Sequence, residues 1–340
     1  MNRHDLQGTA LALVAPGKGI LAADESTPTI TKRFETIDLA SNEETRRAYR
    51  EMLFTMPGLD DSISGVILFD ETIRQKATDG RRFPDVLREQ GIIPGIKVDK
   101  GTTLLANTAD EKVTEGLDGL RERLAEYADL GARFSKWRAV IQIGDAMPTR
   151  TCLYSNAHAL ARFAALSQEA GLVPIVEPEV LMEGEHTITR CERVTEAALK
   201  AVFQHLSEHR VVLEQILLKP NMVTAGEDCK QQPSVLEVAE ATLRCLRRAV
   251  PAAVPGIVFL SGGQNDVLAT QHLNMMNEIG GVPWQLGFSF GRALQEAALH
   301  AWRGQNMLAG QQALGRRARC NSAARHGQYS GEMEKEAMAA

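Results

Sequence analysis

The sequence predicts an α/β protein of the (β/α)8 barrel (TIM barrel) class with a C-terminal tail. Eight short apolar or β-branched runs recur along the 340 residues, and most of them precede a longer segment with helical periodicity. Eight such units fill roughly 250–300 residues, which is the size of this barrel. A doubly wound open sheet uses the same alternation and is the alternative. No linker divides the chain, so we expect residues 1–340 to form one domain, with 305–340 as a partly mobile C-terminal extension.

The predicted strands are the short apolar runs. They cover residues 19–24, 65–69, 92–98, 133–141, 173–177, 215–219, 257–261 and 284–289. Because a helical pattern follows most of these runs, we expect the strands to pair in parallel.

The predicted helices are recognised by apolar residues at helical spacing and by the residues at their ends. Ser41-x-x-Glu44 matches a capping box, and an apolar stripe follows it. The pattern over 117–127 precedes Gly131, which is a suitable C-cap residue. Further helices are predicted over 157–170, 189–209, 233–249 and 265–278, and a last one from about Arg292.

Composition and charge exclude several classes of protein. The formal net charge of −5 argues against a nucleic-acid partner, which usually requires a basic excess. No apolar run approaches the ~18 residues of a membrane helix, so no membrane partner is expected. None of the five cysteines belongs to a C-x-x-C pair. An odd number of thiols fits a reducing compartment, and the cytoplasm is the predicted location.

One segment matches a metal-binding pattern. His205-x-x-Glu208-His209 has the H-x-x-E-H spacing of a zinc site. The segment is polar, however, and it lies at the end of a predicted helix with no further ligand constellation nearby in the sequence. We therefore interpret it as a solvated helix end, and we predict no metal.

Charged residues occupy the ends of several predicted strands, where a parallel sheet is normally apolar. Several of them are two residues apart, a spacing that places both side chains on one face of a strand. In a barrel, such groups converge at the C-terminal mouth, where active sites lie. The candidates are the cations Lys97, Lys136, Arg138, Lys219 and Arg292 and the anions Asp24, Asp99, Glu177 and Glu179.

Lys219 stands out chemically among these residues. It follows Leu217 and Leu218 and precedes Pro220, which favours an extended backbone at a strand end. A neutral amine in such a setting attacks a carbonyl to form a Schiff base.

Two glycine-containing segments predict phosphate sites. Phe-Leu-Ser-Gly-Gly-Gln at 259–264 and Phe-Ser-Phe-Gly-Arg-Ala at 288–293 each follow a predicted strand and precede a helix. Backbone N–H groups and a helix N-terminus favour anions there. Barrels often bind phosphate in the loops after strands 7 and 8, which is the position of these two segments.

Long motifs along the chain, up to Tyr329, allow a family comparison. They are Gly-Lys-Gly-Ile-Leu-Ala-Ala-Asp-Glu-Ser (17–26), Gly-Val-Ile-Leu-Phe (65–69), Gly-Ile-Lys-Val-Asp-Lys-Gly (95–101), Lys-Trp-Arg (136–138), Val-Pro-Ile-Val-Glu-Pro-Glu (173–179), Leu-Leu-Lys-Pro-Asn-Met-Val (217–223), Phe-Leu-Ser-Gly-Gly-Gln (259–264) and Gly-Arg-Ala-Leu-Gln (291–295). Together they closely resemble class I (Schiff-base) fructose-bisphosphate aldolases.

The resemblance implies a (β/α)8 barrel that reversibly cleaves fructose 1,6-bisphosphate to dihydroxyacetone phosphate and glyceraldehyde 3-phosphate, without a metal or other cofactor. It implies a cytoplasmic homotetramer that acts in glycolysis and gluconeogenesis. By motif, Lys219 matches the Schiff-base lysine and Lys136 the lysine beside it. Glu177 matches the acid/base for the carbinolamine, Glu179 its neighbour, and Asp24 the group that handles the substrate hydroxyl.

The same resemblance implies two groups of substrate-binding residues. One phosphate site matches Ser261, Gly262, Gly263, Ser289, Gly291 and Arg292. The other end of the open-chain sugar matches Ser26, Arg33, Lys97 and Arg138.

The chain departs from the family at three places. It ends in Met338-Ala339-Ala340, where many members have a tyrosine that assists a late proton transfer. Pro28 stands in a loop that is often glycine- and serine-rich, and Asp70 replaces a common histidine. The preference among fructose 1,6-bisphosphate, fructose 1-phosphate and sedoheptulose bisphosphate stays open.

Two alternative functions also stay open at this point. One is a metal-dependent barrel lyase or isomerase, and the other is a non-catalytic binding protein on the same barrel.

Overall fold

The chain folds into a closed barrel of eight parallel strands, as seen in a computed structural model that describes residues 5–335. The strands of the barrel are β1 (Gly19–Ala23), β2 (Ile63–Leu68), β3 (Ile93–Lys97), β6 (Phe134–Ile141), β7 (Val173–Val180), β8 (Leu217–Leu218), β9 (Gly256–Phe259) and β10 (Gln285–Phe290). They follow one another around the barrel, and β1 closes it by pairing with both β2 and β10. The (β/α)8 prediction is therefore confirmed, and the doubly wound open sheet is excluded.

Helices surround this barrel and alternate with its strands. Within residues 5–335 they are α1 (Leu6–Leu13), α2 (Thr27–Glu35), α3 (Glu43–Phe54), α4 (Asp70–Arg74), α5 (Phe83–Glu89), α6 (Leu120–Asp129), α7 (Arg150–Glu169), α8 (Ile188–Glu208), α9 (Val235–Ala249), α10 (Asp266–Ile279), α11 (Arg292–Trp302) and α12 (Met307–Arg325). None of these helices has the combination of length and apolar character that a membrane span requires.

The barrel interior changes from apolar to charged along four of its strands. Near the N-terminal strand ends, α1 packs against a buried cluster that includes Ile20, Phe134, Ile175 and Leu217. Side chains alternate along a strand, so the interior positions that follow these residues are two, four or more residues further on. Those positions carry the predicted charges of β1, β6, β7 and the end of β8. The opposite face packs outward: Trp137 stacks on Phe163 of α7 with ring centroids 5.7 Å apart.

Two local features differ from the sequence prediction. The capping box of α3 is not Ser41 with Glu44 but Asn42 with Thr45, each of which bonds the other's backbone N–H. An antiparallel hairpin of β4 (Thr102–Leu104) and β5 (Lys112–Thr114) stands beside the mouth of the barrel and was not expected. Its strands have only three residues each, which is too short for a periodic signal.

The C-terminal segment is mostly helical. Within the predicted extension over 305–340, Met307–Arg325 form α12 and Gly331–Glu334 form a short 3-10 helix against the barrel. Arg317 is 2% exposed and donates a hydrogen bond of 2.7 Å to Thr270 of α10. It also pairs with Glu334, whose carboxylate accepts from the Tyr329 hydroxyl at 2.7 Å. Residues 336–340, including the last three, lie outside the described residues.

Candidate active site

A cavity of about 1020 Å³ opens at the carboxyl ends of the barrel strands. Every predicted site residue lines it. The lining includes Asp24, Ser26, Arg33, Lys97, Lys136, Arg138, Glu177, Glu179, Lys219, Ser261, Gly262, Gly263, Ser289, Gly291 and Arg292. These residues come from loops and strands that are distant in the chain, and the closure of the barrel brings them together.

Four buried ionisable side chains form a chain of contacts at the floor of the cavity. Lys136 Nζ lies 2.6 Å from Asp24 Oδ2 and 3.2 Å from Glu177 Oε2. The other oxygen of Glu177, Oε1, lies 3.1 Å from Lys219 Nζ. Each of the four residues is at most 8% exposed. Burial of charges is tolerated here because each cation contacts a carboxylate.

Burial and ion pairing shift the pKa values of these side chains in opposite directions. Burial by itself would raise the pKa of the Asp24 carboxyl, but the positive charges of Lys136 and Lys219 lower it to about 2. Burial likewise opposes the lowering of the Glu177 pKa, which Lys136, Lys219 and Arg138 bring about. Burial would lower the pKa of Lys136, and Asp24 and Glu177 raise it instead. All three groups are therefore held in their charged forms.

Further ion pairs stand above this floor. Arg138 pairs with Glu179, and Lys97 Nζ lies 2.8 Å from Asp99 Oδ1. The register of β6 and β7 places Arg138 directly opposite Glu177. The alternation of charges noted in the sequence thus corresponds to interior side chains on adjacent strands.

The glycine loop after β9 has a backbone that other residues rarely adopt. Gly262 and Gly263 have φ values of 54° and 94°, in the left-handed region that favours glycine. Arg292, the first residue of α11, donates a hydrogen bond of 2.6 Å to Gly263 O. Ser289 is 1% exposed, and within the described residues its Oγ has no hydrogen-bond partner. Hydroxyl, guanidinium and backbone groups therefore surround a place suited to an anion.

A group of residues behind Arg33 was not predicted from the sequence. Glu25 is buried and pairs with both Arg33 and Arg50, and Gln295 Nε2 donates to Glu25 Oε1 at 2.8 Å. Two signals could have found them: Glu25 directly follows Asp24, and Gln295 follows Arg292 by one turn of helix. For Arg50, in the middle of α3, no such local signal exists.

The two unusual substitutions near the cavity have clear local settings. Pro28 lies in the first turn of α2, where a proline is well tolerated because that N–H has no partner in the helix. Asp70 is the first residue of α4, accepts a hydrogen bond of 2.9 Å from the Tyr127 hydroxyl and lies 3.0 Å from Arg74.

The segment with zinc-like spacing lies away from the cavity. His205 Nδ1 is 3.2 Å from Glu208 Oε2, and His209 Nε2 is 3.4 Å from His158 Nδ1. Within residues 5–335, no group of three or more His, Cys, Asp or Glu side chains has an arrangement that could hold a metal ion.

Comparisons with known proteins agree on one family. The family model for class-I fructose-bisphosphate aldolase matches residues 5–340. A "Probable fructose-bisphosphate aldolase class 1" of Xanthomonas campestris pv. campestris is 57% identical over 334 residues, which are 97% of this chain and 100% of that protein. A "Fructose-bisphosphate aldolase 4, cytosolic" of Arabidopsis thaliana is 52% identical over 97% of this chain and 85% of that protein.

A solved structure gives the same result. It is fructose-bisphosphate aldolase from Plasmodium falciparum in complex with TRAP and a small-molecule inhibitor. It matches with a TM-score of 0.95 and 49% identity over 97% of this chain and 96% of that chain. The chain therefore belongs to the class-I fructose-bisphosphate aldolase family and is an aldehyde-lyase.

Proposed function

We propose that Lys219 forms the Schiff base through which this enzyme cleaves fructose 1,6-bisphosphate to two triose phosphates. The observation that carries the proposal is the contact of Lys219 Nζ with Glu177 Oε1 at 3.1 Å, on the floor of the cavity. A lysine amine and a carboxylate in contact are the two groups that imine formation needs.

The steps follow from the neighbours of Lys219. The Lys219 ammonium passes a proton to Glu177 Oε1, 3.1 Å away, and the neutral amine attacks the substrate ketone. The Glu177 carboxyl then returns that proton to the carbinolamine oxygen so that water leaves. Loss of the Lys219 charge removes one of the cations that lower the pKa of Glu177, so the carboxyl holds its proton more readily at this step. The iminium then withdraws electrons from the adjacent carbon, and the C3–C4 bond breaks to an enamine.

Asp24 is placed to accept the proton of the substrate C4 hydroxyl during this cleavage. Its low pKa keeps it ionised and able to accept. Lys136, between Asp24 and Glu177, stabilises both carboxylates in this form. Glu179, paired with Arg138, supports the arrangement from the same strand as Glu177.

We assign the two ends of the sugar to the two groups of binding residues. Ser261, Ser289, Arg292 and the three glycines Gly262, Gly263 and Gly291 bind one phosphate. Ser26, Arg33, Lys97 and Arg138 bind the other end, and Arg33 also lies beside Gly291 of the first group. Holding both phosphates fixes the ketone carbon over the amine. Comparing kcat/KM for fructose 1,6-bisphosphate, fructose 1-phosphate and sedoheptulose bisphosphate will give the preferred sugar.

Reductive trapping tests the Schiff base. With dihydroxyacetone phosphate and borohydride, we expect one stable adduct on the peptide that contains Lys219, measured by mass spectrometry. Lys219→Met should lose the adduct and the turnover. Lys200→Met is the matched control, because Lys200 is an exposed lysine of α8 that pairs with Glu196, and it should keep both.

Two outcomes would reject the proposal. An unlabelled protein whose activity disappears with EDTA would be a metal-dependent lyase or isomerase. An unlabelled protein that binds the sugar phosphate without turning it over would be a non-catalytic binding protein.

We further propose that residues 1–340 form one domain, that four copies assemble into a homotetramer and that the enzyme works in the cytoplasm. The support for the tetramer is the family resemblance, and for the location it is the absence of paired cysteine motifs together with a cytosolic relative. Sedimentation equilibrium will give the oligomeric state directly.

A further inference from the structure

We propose that Arg50 is a positioning residue for a substrate phosphate: by sharing the buried Glu25 carboxylate with Arg33, it leaves that pair of arginines with a net positive charge beside Gly291. This inference rests on the proposed function, because it concerns how the sugar phosphate is held.

Glu25 is the centre of the arrangement. Its side chain is 4% exposed, and its two oxygens have different partners. Oε1 accepts hydrogen bonds from Arg33 Nη1 and from Gln295 Nε2, whereas Oε2 lies 2.6 Å from Arg50 Nη2. The same Gln295 amide also donates to Ala22 O at 2.8 Å and accepts from the Tyr49 hydroxyl. The carboxylate is therefore held in one orientation from several sides.

Arg33 uses only one end of its guanidinium on Glu25. Its Nη1 contacts Glu25, and its Nη2 lies 3.7 Å from the place where a Cβ on Gly291 would be. Gly291 precedes α11 and belongs to the proposed phosphate site. The Arg33 side chain is 22% exposed and lines the large cavity. The anchored Nη1 thus directs the opposite end of the guanidinium towards an anion at the mouth.

Arg50 differs from Arg33 in that it cannot meet a ligand itself. Its side chain is 3% exposed, and its guanidinium lies 5.6 Å from the centre of the Tyr49 ring. Without Arg50, Glu25 and Arg33 would cancel each other's charge. With it, two cations share one anion, and one positive charge is left over for the phosphate. Because the site is partly buried, salt screens the interaction of this charge with a bound phosphate only weakly.

Substitution of Arg50 separates this role from a structural one. We expect Arg50→Gln to raise KM for fructose 1,6-bisphosphate about tenfold, since one charge near the phosphate is lost, while kcat changes less than about threefold. The half-saturating dihydroxyacetone phosphate concentration in borohydride trapping should rise by the same factor. Arg50→Lys should keep both values close to wild type because it keeps the charge.

A double variant decides between the electrostatic and the structural role of Arg50. In the double variant Glu25→Gln, Arg50→Gln, the charge of Arg33 is again uncancelled, and we expect KM to return towards the wild-type value. A purely structural Arg50 would give the opposite result, because removing two buried partners would damage the site further. Arg46→Gln is the matched control, since it removes a cation of the same helix that pairs with Glu71 and does not line the cavity.

The outcomes distinguish the inference from the proposed function. If the wild-type protein forms the Lys219 adduct and Arg50→Gln leaves KM and the trapping concentration unchanged, the inference is wrong and the Schiff base stands. A KM increase in Arg50→Gln that the double variant does not reverse would also overturn it. If the wild-type protein forms no adduct, the proposed function itself fails.

Discussion

Lys136 is the residue on which the charge balance of the site depends. A buried ammonium between two carboxylates keeps all three groups ionised, as the raised pKa of Lys136 and the lowered pKa values of Asp24 and Glu177 indicate. A carboxylate whose pKa is held low by a nearby cation binds a proton more readily once that cation loses its charge. The proposed deprotonation of Lys219 before it attacks the ketone is such a change, because it removes a positive charge 3.1 Å from Glu177.

The pairing of Asp24 predicts how stability depends on pH. Its folded-state pKa of about 2 lies below the ordinary value of 3.8, so its contribution to stability is complete well above pH 3.8 and is lost as the pH falls through about 2. Integrated over this shift, the contribution is about 2 kcal/mol. We expect the free energy of unfolding of Asp24→Asn, measured in urea between pH 3 and pH 6, to fall less steeply with acid than that of the wild type.

The exposed carboxyl of Asp118 provides the control for this measurement. Asp118→Asn should follow the wild-type pH dependence. Parallel pH profiles for Asp24→Asn and the wild type would contradict the assignment.

At the scale of elements, side-chain caps determine where helices begin, and the sequence alone allows neighbouring candidates. For α3, both Ser41 and Asn42 are capping residue types. The structure selects Asn42, whose side chain accepts from Thr45 N at 2.9 Å, while Thr45 Oγ1 accepts from Asn42 N at 3.0 Å. The choice depends on how the chain enters the helix from α2, which a local pattern does not contain.

This cap gives a prediction with its own control. We expect Asn42→Ala to lower the free energy of unfolding by about 1 kcal/mol and Ser41→Ala to leave it nearly unchanged. The midpoints of urea unfolding measure both effects, provided that the free energy falls with urea concentration at the same slope in each variant. A larger loss for Ser41→Ala than for Asn42→Ala would show that Ser41 caps the helix, as the sequence pattern indicates.

Strand length is a second feature that local pattern does not decide. The apolar run over 215–219 predicts a strand of ordinary length, but only Leu217–Leu218 pair as β8. Lys219 follows immediately, and its backbone N–H still donates to Val176 O at 2.8 Å. The short strand therefore places the amine at the level of Glu177, which belongs to the neighbouring strand β7.

At the scale of the whole molecule, Arg325 links the C-terminal helix α12 to the N-terminal part of the chain. It closes α12, and its guanidinium donates to the carbonyl oxygens of Ala15 at 2.7 Å and Leu286 at 3.0 Å. It therefore ties α12 to the loop between α1 and β1 and to β10. Burial lowers the Arg325 pKa to about 10, so the side chain stays charged at neutral pH.

Substitution of Arg325 should lower the stability of the folded barrel. Arg325→Met leaves several buried carbonyl groups without donors, and we expect the free energy of unfolding to fall by about 3 kcal/mol. Arg316→Met, on a partly exposed position of the same helix, should have a much smaller effect. Equal midpoints of chemical unfolding for the two variants would show that the contacts of Arg325 do not stabilise the fold.

The sequence by itself predicted an eight-strand barrel with charged candidate residues at its strand ends. The strands show as apolar runs, and the charges at their ends show at a spacing of two, because the pleat of a strand puts every second side chain on one face. These are local properties, and they suffice to place Asp24, Lys136, Glu177 and Lys219 at strand ends.

Only the tertiary structure decided which of these charges meet and what lies behind them. Lys136 joins Asp24 and Glu177 because β1, β6 and β7 belong to one closed barrel, and Arg50 reaches Glu25 from α3. The C-terminal segment is helical because it packs on α10 and α11. Such contacts depend on strand order, register and closure, which join residues far apart in the chain and therefore leave no periodic trace in the sequence.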